Sequence, residues 1–361
     1  MKLKSIMAKA ALAAVFLACT VIVQAETPAN ERNSWFGIRI SQALWEPAVF
    51  NELDKLRQIG LQNSALFTGS LLANPADYFD YGNARQKMPF AELLFVFAGE
   101  SNRGTINLGF GGSKPTGLDT SGLQYLNSQT FNIVSISNAN QFSIFQSAEL
   151  KHYEFGYDHE FYPFRGSPSL LSDLGFVLGL QLARDEFFAD QYNTGTIRID
   201  SGTMGSITSS STSQINSFGS TEHNITTGDI HLGLVYRKKI GERFELEAGA
   251  SFGAGKGQSN AIFTNFSVLT LGTSSFPFET STEYSTDGDI RTSRFHLGMA
   301  YLLSEGMAIN LHYGVTNRFY TPTSGSVKAG GIVTIENPAS GPFYSQKDKL
   351  STIGLEFQAR F

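Results

Sequence analysis

The last eleven residues, Ser351-Thr-Ile-Gly-Leu-Glu-Phe-Gln-Ala-Arg-Phe361, decide how the rest of the chain reads. Successive side chains of an extended strand point to opposite faces. Ile353, Leu355, Phe357, Ala359 and Phe361 therefore share one face, and Thr352, Gly354, Glu356, Gln358 and Arg360 share the other. One wall is apolar and one is polar. A water-soluble sandwich buries such an apolar wall, whereas a transmembrane barrel turns it to lipid and keeps the polar wall for its lumen.

Upstream segments favour the second arrangement. Tyr153, Phe155, Tyr157 and Phe161 oppose His152, Glu154, Gly156, Asp158 and Glu160. Leu174, Phe176, Leu178, Leu180 and Leu182 oppose Asp173, Gly175, Gly179 and Gln181. Ile230, Leu232, Leu234 and Tyr236 oppose Asp229, His231, Gly233 and Arg237, and Phe244, Leu246, Ala248 and Phe252 oppose Glu245, Glu247, Gly249 and Ser251. Phe295, Leu297 and Met299 oppose Arg294, His296 and Gly298, and Ile309, Leu311 and Tyr313 oppose Asn310, His312 and Gly314. Runs of about nine to eleven residues suit a tilted strand crossing hydrocarbon. Glycine and charge alternate here with Leu and Phe, which suits a barrel with its apolar side outward.

The terminal strand, closing on an aromatic residue, resembles the C-terminal strand of bacterial outer-membrane β-barrel proteins. That resemblance implies an all-β, antiparallel transmembrane barrel in the outer membrane of a double-membrane bacterium. It also implies that Ile353, Leu355, Phe357 and Phe361 form the signal read by the barrel-assembly machinery. Outer-membrane lipid is then the second expected partner.

The connections alternate in length. Lys238 to Glu242 and Ser304-Glu-Gly306 are short, and Tyr162 to Leu171 is intermediate. The others, about 112–146, 184–226, 254–292 and 318–349, are long and rich in Ser, Thr, Asn and Gly. Short periplasmic turns with long extracellular loops are the outer-membrane arrangement. Counting back from Phe361, and adding Thr105–Gly111, Leu93–Ala98 and Trp35–Ile40, predicts ten strands, with eight as the alternative.

Met1 to Ala25 has the form of an export signal: Lys2, Lys4 and Lys9, an apolar run from Ala10 to Val23, then small residues at the cut. Phe16-Leu-Ala-Cys19 offers an alternative cut with a lipidated Cys19, against which the apolar run continues past the cysteine. Cleavage after Ala25 removes the single cysteine and three lysines, taking the formal charge from −5 to −8. A disulfide framework and a cysteine metal site are then excluded, and nucleic acid is not an expected partner. Residues 46–60 differ from the rest. Pro47 suits a first helical turn, and Phe50, Leu53, Leu56 and Ile59 recur at helical spacing. The segment predicts an amphipathic helix at a barrel mouth or a plug.

Chemistry is sparse. His296 and His312 lie on strands joined by a tight turn, which places them side by side or one step apart. His231 faces the lumen one hairpin earlier, with Glu245 and Glu247 on the neighbouring strand. Imidazoles this close can bind a metal or share a proton. Enclosed charges need partners, so the expected arrangement is a lumen network of His231, His296, His312, Glu245, Glu247, Arg237, Arg294, Glu356 and Arg360, with no catalytic residue, metal or cofactor. His312-Tyr-Gly-Val-Thr-Asn317 faintly resembles the His-x-Ser-Asn motif of lipid A deacylases, but its hydroxyl is displaced and no role carries over. The functional expectation is a non-enzymatic barrel, either a narrow porin-like channel or a surface module whose loops meet an extracellular ligand. The alternatives are a membrane-embedded hydrolase using the lumen histidines and a transporter of small amphiphilic solutes.

Overall fold

The computed structural model of the chain describes residues 34–50, 70–72, 85–115, 120–124, 126–128, 134–167, 170–203, 206–271, 274–329, 332–336 and 346–360. The expected export signal and Cys19 lie outside them. Ten strands form one ring: β1 (Trp35–Glu46), β2 (Gln86–Ala98), β3 (Asn102–Ser113), β4 (Val134–Phe161) and β5 (Leu174–Thr203), then β6 (Ser206–Ile240), β7 (Phe244–Leu271), β8 (Ser274–Ser304), β9 (Met307–Ala329) and β10 (Gln346–Arg360). Each pairs antiparallel with its chain neighbours, and β10 pairs with β1 to close the circle. Shorter strands at Thr120–Gln124 and Ile332–Glu336 add to β4 and β9. Ser70–Leu72 pairs separately with Leu126–Ser128.

Strand number and stagger are linked in a barrel. Registered partners run once round from Trp35 through Val96, Thr105, Asp158, Gly179, His231, Gly253, Thr292 and Arg318 to Asp348. Asp348 lies one step past the Glu46–Lys349 pair, opposite position 47, twelve residues above the start. Such a stagger tilts strands by roughly 40°. Side chains distant along one strand are thereby brought to one height in the lumen.

The alternation read from sequence is the inside–outside division of this ring. Phe252 is 73 % exposed and Leu232 66 %, whereas Glu356 and His152 are completely buried. Leucine does not stay bare in water on this scale, and large apolar patches mark an interaction surface. Outward residues turn polar along a rim at Arg184, Lys256, Arg291, Asn317 and Lys349, which marks the upper edge of the apolar belt. At the other edge the turns are tight. Gly241 has a φ of 64°, the left-handed backbone that the turn between Ile240 and Phe244 requires.

One sequence reading changes, and residues 51–60 of another lie outside the described residues. The connections read as long loops are largely strand: β5 and β6 continue to Thr203 and resume at Ser206, and β7 and β8 to Leu271 and from Ser274. Ser- and Thr-rich stretches extend here because neighbours already in register supply the backbone partners. Of the predicted helix at 46–60, the described residues are Glu46, which ends β1, then Pro47 and a first turn at Ala48–Phe50. There the Phe50 N–H donates to the Pro47 carbonyl at 3.3 Å. Val49 and Phe50 are buried in the lumen's upper end with Ala43, Trp45, Met88, Phe90, Leu150, Phe187 and Leu350.

Candidate functional site: the lumen and its two ends

The lumen is filled in layers. At mid-height Arg39 stands directly between Glu92 on β2 and Glu356 on β10. Its guanidinium donates to Glu92 at 3.0 Å and to Glu356 at 2.7 Å. Glu356 also accepts from Asn310 at 3.4 Å and from Gln358 at 2.7 Å. A second layer spans the cavity: Arg294 on β8 donates to Gln181 on β5 at 2.6 Å and to Asp229 on β6 at 2.6 Å. Gln181 passes the chain on to Glu154 at 2.9 Å. Below these, Arg237 bridges Glu160 at 2.7 Å and Glu247, and the His296 ring nitrogen lies 2.8 Å from Glu247, off hydrogen-bond geometry.

Lumen glycines make room for these contacts. Asp158, Gly179 and His231 are registered across three adjacent strands. A Cβ on Gly179 would overlap both the Asp158 carboxylate and the His231 ring. Without one, His231 reaches over β5 to Asp158 at 2.6 Å.

The residues expected in the lumen network all face this interior, but not all in the expected pairs. His296 and His312 do stack, with centroids 6.3 Å apart and planes at 22°. His231 does not meet Glu245 or Glu247. It registers with Gly253, whereas Glu247 registers with Arg237, six residues along β6 from His231. His231 instead has Asp158 and, at 3.5 Å, Asp229. Glu245 stands between two arginines, Arg360 at 3.6 Å and Arg103 at 4.0 Å.

Sequence reasoning missed Arg39, Glu92, Asp229's part in the network, and a cluster at the rim of the belt. There His152 contacts Asp185 at 2.5 Å, Arg318 stands 3.7 Å from Asp185, and the Trp45 indole donates to Asp348 at 3.1 Å. Arg39, between Ile38 and Ile40, was visible as a charge on a polar face; Asp185 and Asp348 fell in stretches read as loop. His152 is enclosed by Trp45 and Phe90, with ring centroids 5.3 and 5.7 Å away. Ser259 and His223 hydrogen-bond at 3.1 Å, the contact of a nucleophile with its base. Both are buried. Among the described residues no group of three His, Cys, Asp or Glu side chains is placed to hold a metal ion.

The free space is divided accordingly. A cavity of about 180 Å³ remains among the mid-lumen ion pairs. A larger one, about 410 Å³, opens at the turn end, walled by Trp35, Tyr162, Arg103, Arg237, Glu245 and Arg360. Tyr162 tucks under the barrel, its hydroxyl donating to Glu160 at 2.6 Å, and burial pushes that phenol above the ordinary tyrosine range.

A closed antiparallel ring with an apolar exterior and a paired, charged interior is a transmembrane β-barrel. No protein-family model and no curated protein matches the chain. Solved structures similar to it include the outer-membrane protease OmpT of Escherichia coli, at 10 % identity and a TM-score of 0.36, covering 93 % of this chain and 99 % of that one. The toluene transporter TodX of Pseudomonas putida gives 10 % identity and 0.27 over 93 % and 91 %. OprG of Pseudomonas aeruginosa gives 12 % and 0.20 over 72 % and 95 %. The assignment of class rests on the ring of pairings and the belt, not on these likenesses.

Proposed function

We propose that this chain is a non-enzymatic outer-membrane barrel with an occluded lumen. In this reading it acts through the sheet that β4 to β9 raise beyond the belt, as a surface recognition or adhesion module. The observation that carries the reading is a double blockage. Val49 and Phe50 fill the lumen's upper end among apolar side chains, and below them Arg39, Arg294 and Arg237 occupy the lumen, paired with carboxylates one or two strands away. A ten-stranded ring has little interior to spare once side chains fill it. Meanwhile β6 runs for 35 residues, far more than the hydrocarbon needs. The expected partners are outer-membrane lipid, the assembly machinery and an extracellular ligand on the raised sheet.

Planar-bilayer recording tests it. The refolded full chain is expected to give no steady conductance, while a version with the β5–β6 tip shortened still assembles but loses binding to cells or matrix. A stable ohmic pore in the unaltered protein would replace this reading with a channel.

A further inference from the structure

The cavity at the turn end is not explained by surface recognition on the other side. Its wall carries Arg103, Arg165, Arg237, Lys238, Lys239 and Arg360 against two acids, Asp173 and Glu245. Arg237 is taken up by Glu160 and Glu247. Arg360 donates to the Gln358 side-chain oxygen at 3.0 Å, and the carboxylate that Arg103 and Arg360 share is Glu245, at 4.0 and 3.6 Å, both beyond hydrogen-bond reach. The Nε of each is buried without a hydrogen-bond partner among the described residues. A guanidinium kept from bulk water needs matching acceptors, and these two Nε donors have none among the described residues.

The same wall has an aromatic side. Arg103 lies over the Trp35 ring, 5.6 Å from its centroid, and Arg165 lies 5.8 Å from that of Tyr162. Trp35 is 5 % exposed, so its ring belongs to the cavity lining rather than to the lipid belt. Two guanidiniums with open donors match an oxyanion in fork geometry. A volume of about 410 Å³ exceeds the needs of a bare phosphate or carboxylate and falls in the range of small-ligand pockets.

We propose that this turn-side cavity is a binding site for a small organic oxyanion, its phosphate or carboxylate seated between Arg103 and Arg360 and its flat apolar part against Trp35 and Tyr162. The site lies at the opposite end of the barrel from the raised sheet and stands whether or not that sheet recognises a ligand.

Calorimetric titration of the folded full chain in detergent tests the proposal with three probes: phenyl phosphate, inorganic phosphate and phenol, each against sodium chloride at equal ionic strength. Phenyl phosphate is expected to bind saturably and most tightly, inorganic phosphate more weakly, and phenol not at all. Arg103→Gln with Arg360→Gln is expected to weaken phenyl phosphate by about tenfold or more, the loss of charge-assisted hydrogen bonds. Should that pair fail to fold, the single Arg103→Gln and Trp35→Phe variants take its place. The first is expected to weaken both phosphates, and the second to weaken phenyl phosphate only. No saturable binding, equal response to phenol and phenyl phosphate, or unchanged affinity in folded arginine variants would overturn the site.

Discussion

Phe50 meets Phe187 edge-on, their ring centroids 5.5 Å apart and their planes at 87°. One residue comes from the first turn after β1 and the other from the inner face of β5, so this contact fixes that first turn inside the barrel. Phe50→Ala is expected to lower unfolding free energy by about 3 kcal/mol, as for other buried aromatic truncations. Urea unfolding of the detergent-folded protein measures it. A loss no larger than that of a surface substitution would mean that the turn does not pack in the lumen.

Arg39 with Glu92 and Glu356 supplies a second test. Removing the one cation of this buried set leaves two carboxylates uncompensated and costs about 3–5 kcal/mol. Arg39→Met is expected to cost that much, and the Arg39→Met, Glu356→Leu double variant clearly less than the sum of its singles. Additive losses would show that the three charges are not coupled.

Lipid contact is probed on β6. Leu234 faces outward near the middle of the belt and Thr226 faces outward at its edge. Leu234→Arg is expected to cost about 2–4 kcal/mol and Thr226→Arg about 0–1 kcal/mol. Folding into vesicles followed by denaturant titration reads both. Equal costs at the two depths would be incompatible with a bilayer around this face.

Tyr162 gives a pH signature. Burial raises the pKa of its phenol, and the Glu160 carboxylate that accepts its hydrogen bond works in the same direction. A group with a raised folded-state pKa stabilises the fold below its unfolded value, near 10 for tyrosine, and that contribution fades as pH climbs through the folded value. Stability is therefore expected to fall above about pH 10, with a shallower fall in Tyr162→Phe. The same slope in both proteins would refute the assignment.

The belt and the ten strands were legible in the sequence because burial on one side only leaves period-two alternation, as in Ile353, Leu355 and Phe357. The upper strands were less legible. Stretches such as Ser206 to Ser213 have no apolar face, and their extended form comes from partners in the sheet rather than from their own side chains. The site was half legible. Facing strands joined by a tight turn placed His296 beside His312 correctly, since little register freedom remains. The partners of His231 depend on the stagger of neighbouring strands, and no local pattern reports it. Thus Asp158, 73 positions away, was not legible, and Glu245 and Glu247 looked nearer than they are.

The seam between β1 and β10 joins the earliest strand to the last, over twelve registered pairs from Trp35–Arg360 to Glu46–Lys349. Until β10 arrives, β1 keeps one edge of open donors and acceptors, and so does whichever strand was added most recently. No partly delivered chain has both edges covered, and an open edge in hydrocarbon is prohibitive. Insertion cannot proceed hairpin by hairpin as independent steps. Either all ten strands cross together, or both borders stay shielded from hydrocarbon until the circle shuts.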